Sequence, residues 1–121
     1  MFSENTFKKS ISFENRYRDS TNILFKYPDR VPIICERAKT ANKDCPIIDK
    51  NKYLVPKDLT MGQFISVIRK RLKISAEKGV FLFVNNTIAT SSTTIGSLYE
   101  LYRDEDNFLY ISYSLENTFG L

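Results

Sequence analysis

The run Val80-Phe81-Leu82-Phe83-Val84 places five apolar side chains in succession with no polar alternation. So short a run of β-branched and aromatic residues reads as a strand, and strand side chains point to opposite faces in turn, so both faces of this strand are predicted to be covered. A crossover helix can supply one covering layer. The other has to come from elsewhere in the chain, and residues 1–26 are the segment available for it. A chain of 121 residues holds one such layered core and not two.

The remaining elements follow from local signals. Residues 13–26 predict a helix, with Ser12 placed to cap it, Glu14 in the positive first turn and Pro28 forcing an exit. A shorter helix is expected over roughly residues 4–9. Residues 31–38 read as a strand with Val31, Ile33 and Cys35 on one face and Pro32, Ile34 and Glu36 on the other; proline in second position marks an edge or a strand start. Residues 39–49 are a loop, and Lys52-Tyr53-Leu54-Val55 is the returning strand of a hairpin. Thr60-Met61-Gly62-Gln63 has capping-box form, and Met61, Phe64, Val67, Ile68 and Leu72 recur at helical spacing, which predicts a helix over 61–72. Asn85-Asn86 turns the apolar strand back. Thr94 can cap a further helix whose Ile95, Leu98, Tyr99 and Tyr102 form one stripe, and residues 108–113 make a last strand apolar enough to be central.

This order of elements predicts an α+β fold. It is the ubiquitin-like β-grasp, a mixed four-stranded sheet with a crossover helix, extended by an N-terminal helical segment. The expected organisation is a helical segment over residues 1–27 packed on the sheet, a core over 28–114 and a tail over 115–121, all within one domain.

Composition narrows the chemistry. The chain has no histidine, which removes imidazole general-base catalysis, histidine metal sites and histidine pH switches together. Cys35 and Cys45 stand ten apart, which fits neither a redox pair nor a zinc site, and Cys35 takes an inward strand position as a small buried hydrophobe. No metal site, cofactor or catalytic residue is expected. The N-terminus carries no apolar signal region and no run is long enough to span a bilayer, so a cytosolic, reducing setting is expected and Asn85-Asn86-Thr87 is read as a turn. Residues 1–78 hold 17 basic and 9 acidic side chains, a net +8, while residues 79–121 hold 1 and 5, a net −4. Such a split offers a basic surface to an acidic peptide, a phospholipid or a nucleic acid.

Five strings then stop looking generic: Tyr27-Pro28-Asp29-Arg30-Val31-Pro32, Lys52-Tyr53-Leu54-Val55-Pro56, Asp58-Leu59-Thr60-Met61-Gly62-Gln63-Phe64, Phe83-Val84-Asn85-Asn86 and Phe108-Leu109-Tyr110-Ile111-Ser112-Tyr113. In this order, and with the terminal Phe119-Gly120-Leu121, they resemble the GABARAP-like autophagy modifiers, the family of autophagy-related protein eight, over residues 13–121. The resemblance implies a ubiquitin-like protein trimmed after Gly120 by a cysteine protease, with loss of Leu121. Activating and conjugating enzymes would then join Gly120 to phosphatidylethanolamine, a covalent modification and not a cofactor. A glycine suits that role because a residue without Cβ tolerates close approach by an enzyme. Two acyl chains arriving on one bond also meet the requirement that stable anchoring takes two signals.

The resemblance further implies a peptide groove that binds cargo receptors carrying an acidic, aromatic-x-x-aliphatic motif, the peptide adding as a strand beside residues 52–55. By position, Asp19, Ile23, Pro32, Ile34, Lys52, Leu54 and Phe108 would line an aromatic pocket, and Tyr53, Val55, Pro56, Leu59, Phe64 and Val67 an aliphatic one. Arg30, Lys50, Lys52 and Arg71 would form a basic rim. Alternation supports part of this, since it turns Ile34 outward beside Leu54, an apolar cost without a ligand. Edge lysines are also explained by protection of an open strand, and Phe64 by ordinary core packing. Phe81 and Phe83 would face the N-terminal helices. The implied location is cytoplasm, autophagosomal and pre-autophagosomal membranes, and vacuole or lysosome.

Two other readings stay open. One is an interaction module that uses the groove without conjugation; the other is the same lipid-linked modifier directed to a different organelle membrane. No nucleic acid is expected, because Arg69-Lys70-Arg71 with Lys73 is more simply the cationic end of a helix.

Overall fold

The computed structural model describes residues 6–41, 44–75 and 77–115. Its elements are α1 (Thr6–Ser10), α2 (Phe13–Lys26), β1 (Arg30–Arg37), β2 (Lys52–Pro56), α3 (Met61–Leu72), β3 (Val80–Val84), β4 (Thr87–Ile88), α4 (Ile95–Tyr102) and β5 (Leu109–Leu115). The sheet order is β2-β1-β5-β3-β4, with β1 and β5 parallel and the other pairs antiparallel. The sheet therefore has five strands and not the four expected. The addition is the two-residue β4, which exists because Asn85 and Asn86 both take positive φ, 52° and 64°, and so close a two-residue hairpin that pairs Val84 with Thr87.

Side-chain capping sets the helix ends. The Ser12 hydroxyl accepts the Asn15 N–H, and the Thr94 hydroxyl accepts the Ser97 N–H. Thr60 and Gln63 form a reciprocal capping box at the start of α3, and Lys73 ends that helix in the left-handed conformation with φ 56°. Met61, Phe64, Ile68 and Leu72 of α3, with Ile95 and Leu98 of α4, cover the face of the sheet that carries Val31, Ile33, Cys35, Leu109, Ile111 and Tyr113. Tyr102, expected in the α4 stripe, is 39 % exposed, because the helix ends there and only its first two turns meet the core.

The opposite face holds a smaller cluster of Phe7, Ile34 and Phe108, with Ile11, Ile23 and Tyr110 partly buried against it. Ile34 does point away from the main core, but it is fully buried and not an exposed apolar surface, because Phe7 of α1 sits over it. Its register partner on β2 is Lys52, and Leu54 faces Pro32. The second layer over β3 is thinner than its apolar run predicts: α2 packs on β1, and Phe81 and Phe83 stay half-buried. Both cysteines are buried, and burial, then the neighbouring Glu36, pushes the Cys35 thiol far above its ordinary range, as an inert core residue requires.

Candidate functional site

β2 ends the sheet, with β1 as its only strand neighbour among the described residues, so one side of its backbone faces outward. An extended chain can add to such an edge by backbone hydrogen bonds. On the side of β2 nearest α2, Lys52 pairs with Asp19 of that helix, Nζ to Oδ2 2.5 Å. Ile23, Ile34 and Phe108 cluster beneath this pair, and the Lys52 ammonium stands 5.9 Å from the centre of the Phe7 ring. Five of the seven residues expected around an aromatic pocket are thus linked by pairing or packing to the same corner: Asp19 with Lys52, Ile34 opposite Lys52, and Ile23 and Phe108 below. Pro32 opposite Leu54 completes the set two register pairs along the strand. Ile34 and Phe108 show no exposed surface, so they form a floor, and Ile23, Lys52, Leu54 and Asp19 are the partly open members.

The network that holds α2 in place was not anticipated. Asp106, fully buried, accepts from Arg16 Nε at 2.8 Å, from the Tyr110 hydroxyl at 2.5 Å and from the Phe108 N–H at 2.9 Å, while its own carbonyl accepts the Ser20 hydroxyl at 2.5 Å. Burial, reinforced by Asp106, pushes the Tyr110 hydroxyl far above its ordinary range, so it stays a donor. α1 is fastened separately. The Glu36 carboxylate accepts from the Phe7 N–H and the Thr6 hydroxyl, and Lys8 pairs with Asp104 at 2.7 Å. An acid three residues into the Arg103-Asp104-Glu105-Asp106 run was the available signal, but its partner lies 90 residues away and no local pattern reaches it.

The aliphatic set divides. Phe64 is fully buried and meets Tyr53 edge-on with ring centres 5.6 Å apart, so Phe64, Tyr53 and Val55 belong to the core. Val67 is 39 % exposed and, with Asp49, Lys50, Tyr53, Lys70, Arg71 and Lys73, lines a cavity of about 480 Å³. Leu59 is half-buried and Pro56 exposed; neither borders that cavity. Arg71 is held by Asp49, Nε to Oδ1 2.9 Å, and Lys50 lies 5.2 Å from the Tyr53 ring centre. Lys50 and Arg71 therefore do meet at one rim, joined by Lys70 and Lys73. Arg30 does not join them. It stands opposite Pro56, four residues and about 13 Å along β1 from Lys52's partner, over the Tyr27 ring and beside a different cavity of about 590 Å³ shared with Lys57 and α4.

Comparison with known proteins decides the family. The family described as "Autophagy protein Atg8 ubiquitin like" matches residues 15–120. This chain belongs to the Atg8 family. Autophagy-related protein 8 of Mycosarcoma maydis is 53 % identical over 114 residues, covering 94 % of this chain and 95 % of that one. Autophagy-related protein 8b of Arabidopsis thaliana is 53 % identical over 117 residues, with 97 % and 94 % covered. The crystal structure of Trypanosoma brucei ATG8 superposes with a TM-score of 0.87 at 45 % identity, covering 95 % of this chain and 97 % of that one. Members of the Atg8 family are ubiquitin-like modifiers or adaptors of autophagy and not enzymes, so the residues described above are read as a binding surface. Gly120 and Leu121 lie outside the described residues. Among the described residues no helix is long and apolar enough to cross a membrane.

Proposed function

We propose that this Atg8-family chain is trimmed by a cysteine protease after Gly120, carried by activating and conjugating enzymes, and joined through Gly120 to phosphatidylethanolamine. On autophagosomal and pre-autophagosomal membranes, and in the vacuole or lysosome that receives them, it recruits cargo receptors with acidic, aromatic-x-x-aliphatic motifs. The observation that carries the recruiting part is the outward edge of β2, set between the Ile23–Leu54–Lys52 corner and the Val67–Tyr53 cavity with its four cations. A strand added there would present alternate side chains to the two sites, and acids flanking it would meet Lys50, Lys52, Lys70 and Arg71. Arg30 stands opposite Pro56, away from these four cations.

The intact mass of the cellular protein, in membrane and cytosol fractions compared, tests conjugation. The membrane form should lack Leu121 and carry the lipid, and Gly120→Ala should abolish it; a Gly120→Ala protein that still reaches the membrane-bound form refutes the attachment. Leu121 retained in both starvation and growth would favour the module that is never conjugated. For the groove, Leu54→Ala should weaken binding of an acidic aromatic-x-x-aliphatic peptide by about tenfold through lost packing. Lys52→Ala should weaken it more at low salt than at high. Parental affinity in both variants would move the peptide elsewhere.

A further inference from the structure

The floor of the aromatic site is closed off, and one side chain closes it. Ile34 and Phe108 have no exposed surface, and Phe7 of α1 is buried over them in a cluster separate from the main core. The Phe7 ring meets Phe108 edge-on, with centres 5.4 Å apart and planes at 78°, and its centre lies 6.5 Å from that of Tyr110. At the rim, the Lys52 ammonium stands 5.9 Å from the Phe7 ring centre. A phenyl ring on an apolar floor, beneath a cation at the start of β2, has the surroundings that the aromatic residue of a peptide added to that strand would need. α1 fills that place from within the chain.

The seat of α1 is weakly made. Its five residues are far fewer than the about 12–15 a helix needs to hold by itself, and Phe7 is its one buried side chain. Polar ties fasten it. Lys8 reaches Asp104 at 2.7 Å with both side chains partly exposed, and Arg16 donates to the Lys8 carbonyl at 3.2 Å. Glu36 accepts the Phe7 N–H at 2.9 Å and the Thr6 hydroxyl on one oxygen, Oε2. The other oxygen, Oε1, is buried and has no hydrogen-bond partner among the described residues. A buried carboxylate oxygen without a donor is unfavourable by its desolvation, and water satisfies it once α1 lifts. Core packing accounts for Phe7, but not for an acid left half-satisfied beneath its helix. α2, by contrast, is fixed by Arg16 and Ser20 at Asp106, and Arg16 also holds the Ile11 carbonyl at 2.6 Å. The Ser10–Ile11 link is therefore where α1 can swing while α2 stays.

We propose that α1 is a lid on the aromatic site and Phe7 its resident aromatic side chain: a receptor's aromatic residue takes the place of Phe7 on the Ile34–Phe108 floor as α1 lifts. This rests on the groove reading above and adds a closed state to it. The affinity of the chain for a peptide is then that of the open site reduced by the fraction of molecules standing open, so loosening α1 strengthens binding.

Two measurements on the full chain, with an acidic peptide of the tryptophan-x-x-leucine type, test the lid. Amide hydrogen exchange at Phe7, whose N–H bonds Glu36, should be at least about tenfold faster at saturating peptide than in the free chain, while Tyr27, bonded to the Ile23 carbonyl at the end of α2, keeps its rate. In binding titrations, Phe7→Ala should tighten the complex at least about threefold, and so should Asp104→Asn, which loosens the Lys8 tie and leaves Phe7 in place. A Phe7 that only walled the site would give the opposite sign. Exchange at Phe7 that stays level or slows in the complex overturns the lid. So does an Asp104→Asn chain that binds no tighter than the parent, or a Phe7→Ala chain that still melts cooperatively and binds more weakly. A peptide that the parent chain does not bind, or that binds Leu54→Ala with parental affinity, overturns the groove reading itself and the lid with it.

Discussion

Asp106 is the residue on which the placement of the N-terminal helices turns. Its carboxylate neutralises Arg16, whose guanidinium also donates to the Ile11 carbonyl at 2.6 Å and the Lys8 carbonyl at 3.2 Å, so one acid on the β5 side governs the α1–α2 junction. Removing one partner of a buried pair leaves the other charge uncompensated, and Asp106→Ala should therefore cost about 3–5 kcal/mol, read as a lowered urea midpoint. Asp106→Asn keeps one side-chain oxygen, enough for the Phe108 N–H, but sets an amide NH2 where Oδ2 serves Arg16 and Tyr110, and should cost less than alanine; equal losses would mean that the charge carries the whole contribution. Asp104 works at the surface of the same junction. Burial pushes its carboxyl up, but the Lys8 hydrogen bond, the Asp106 N–H and the Lys8 charge together hold it below its ordinary 3.8. A carboxyl lower in the folded than in the unfolded chain stabilises fully above the unfolded value, and that contribution is lost as pH falls through the folded one, here below about pH 4. Both partners are about a third exposed, so the contribution is under about 1 kcal/mol. Carboxyl chemical shifts followed through a pH titration should place the Asp104 midpoint below 3.8, and Lys8→Gln should move it upward.

At Gly96, α4 comes close against Lys57, the residue that follows β2. A Cβ on Gly96 would stand 2.9 Å from the Lys57 carbonyl oxygen and 3.0 Å from the Lys57 Cβ. That oxygen cannot withdraw easily: it accepts the Gly96 N–H at 2.8 Å, and Lys57 itself donates to the Asp29 carbonyl at 3.1 Å. Alanine would gain about 1 kcal/mol of helix propensity at this position, but forcing the backbone apart costs about 1–3 kcal/mol, so Gly96→Ala should be neutral at best and destabilising by up to about 2 kcal/mol in thermal melts. A more stable variant would show that the Lys57 turn gives way. Helices like this were readable from residues alone where a cap announces them: Thr60 with Gln63 and the stripe Met61–Phe64–Ile68–Leu72 mark α3 to its last residue, and Ser12 with Pro28 marks α2. What stayed hidden is long-range. Nothing near Phe7 says that it will cover Ile34, nothing in the β1–β2 alternation says that Arg30 will part from Lys50 and Arg71, and β4 is too short for any periodicity. The groove was legible as an edge strand with outward residues; which of those residues keep any open surface depends on a helix arriving from 30 residues away.

For the whole molecule, the charge split of the sequence is reorganised by folding. Asp104 and Asp106, two of the five acids in the negative segment, turn inward to Lys8 and Arg16 of the positive one, so part of the −4 is used within the N-terminal junction. Four of the remaining cations, Lys50, Lys70, Arg71 and Lys73, surround the Val67 cavity at the far side of the sheet edge, with Asp49 as their acidic neighbour. On the proposed reading such a field would act mainly before contact: it would raise the rate at which an acidic peptide meets β2, whereas the retained complex would depend on the strand and its two side-chain sites. Raising salt from about 50 to about 300 mM shortens the screening length to less than about half, so the association rate of an acidic aromatic-x-x-aliphatic peptide should fall several-fold while its dissociation rate stays within about twofold. Lys70→Gln with Lys73→Gln should flatten the salt dependence of association without altering dissociation in stopped-flow traces. If the dissociation rate carries the salt dependence instead, the cations hold the bound peptide by direct contact and the field around the groove does not steer it.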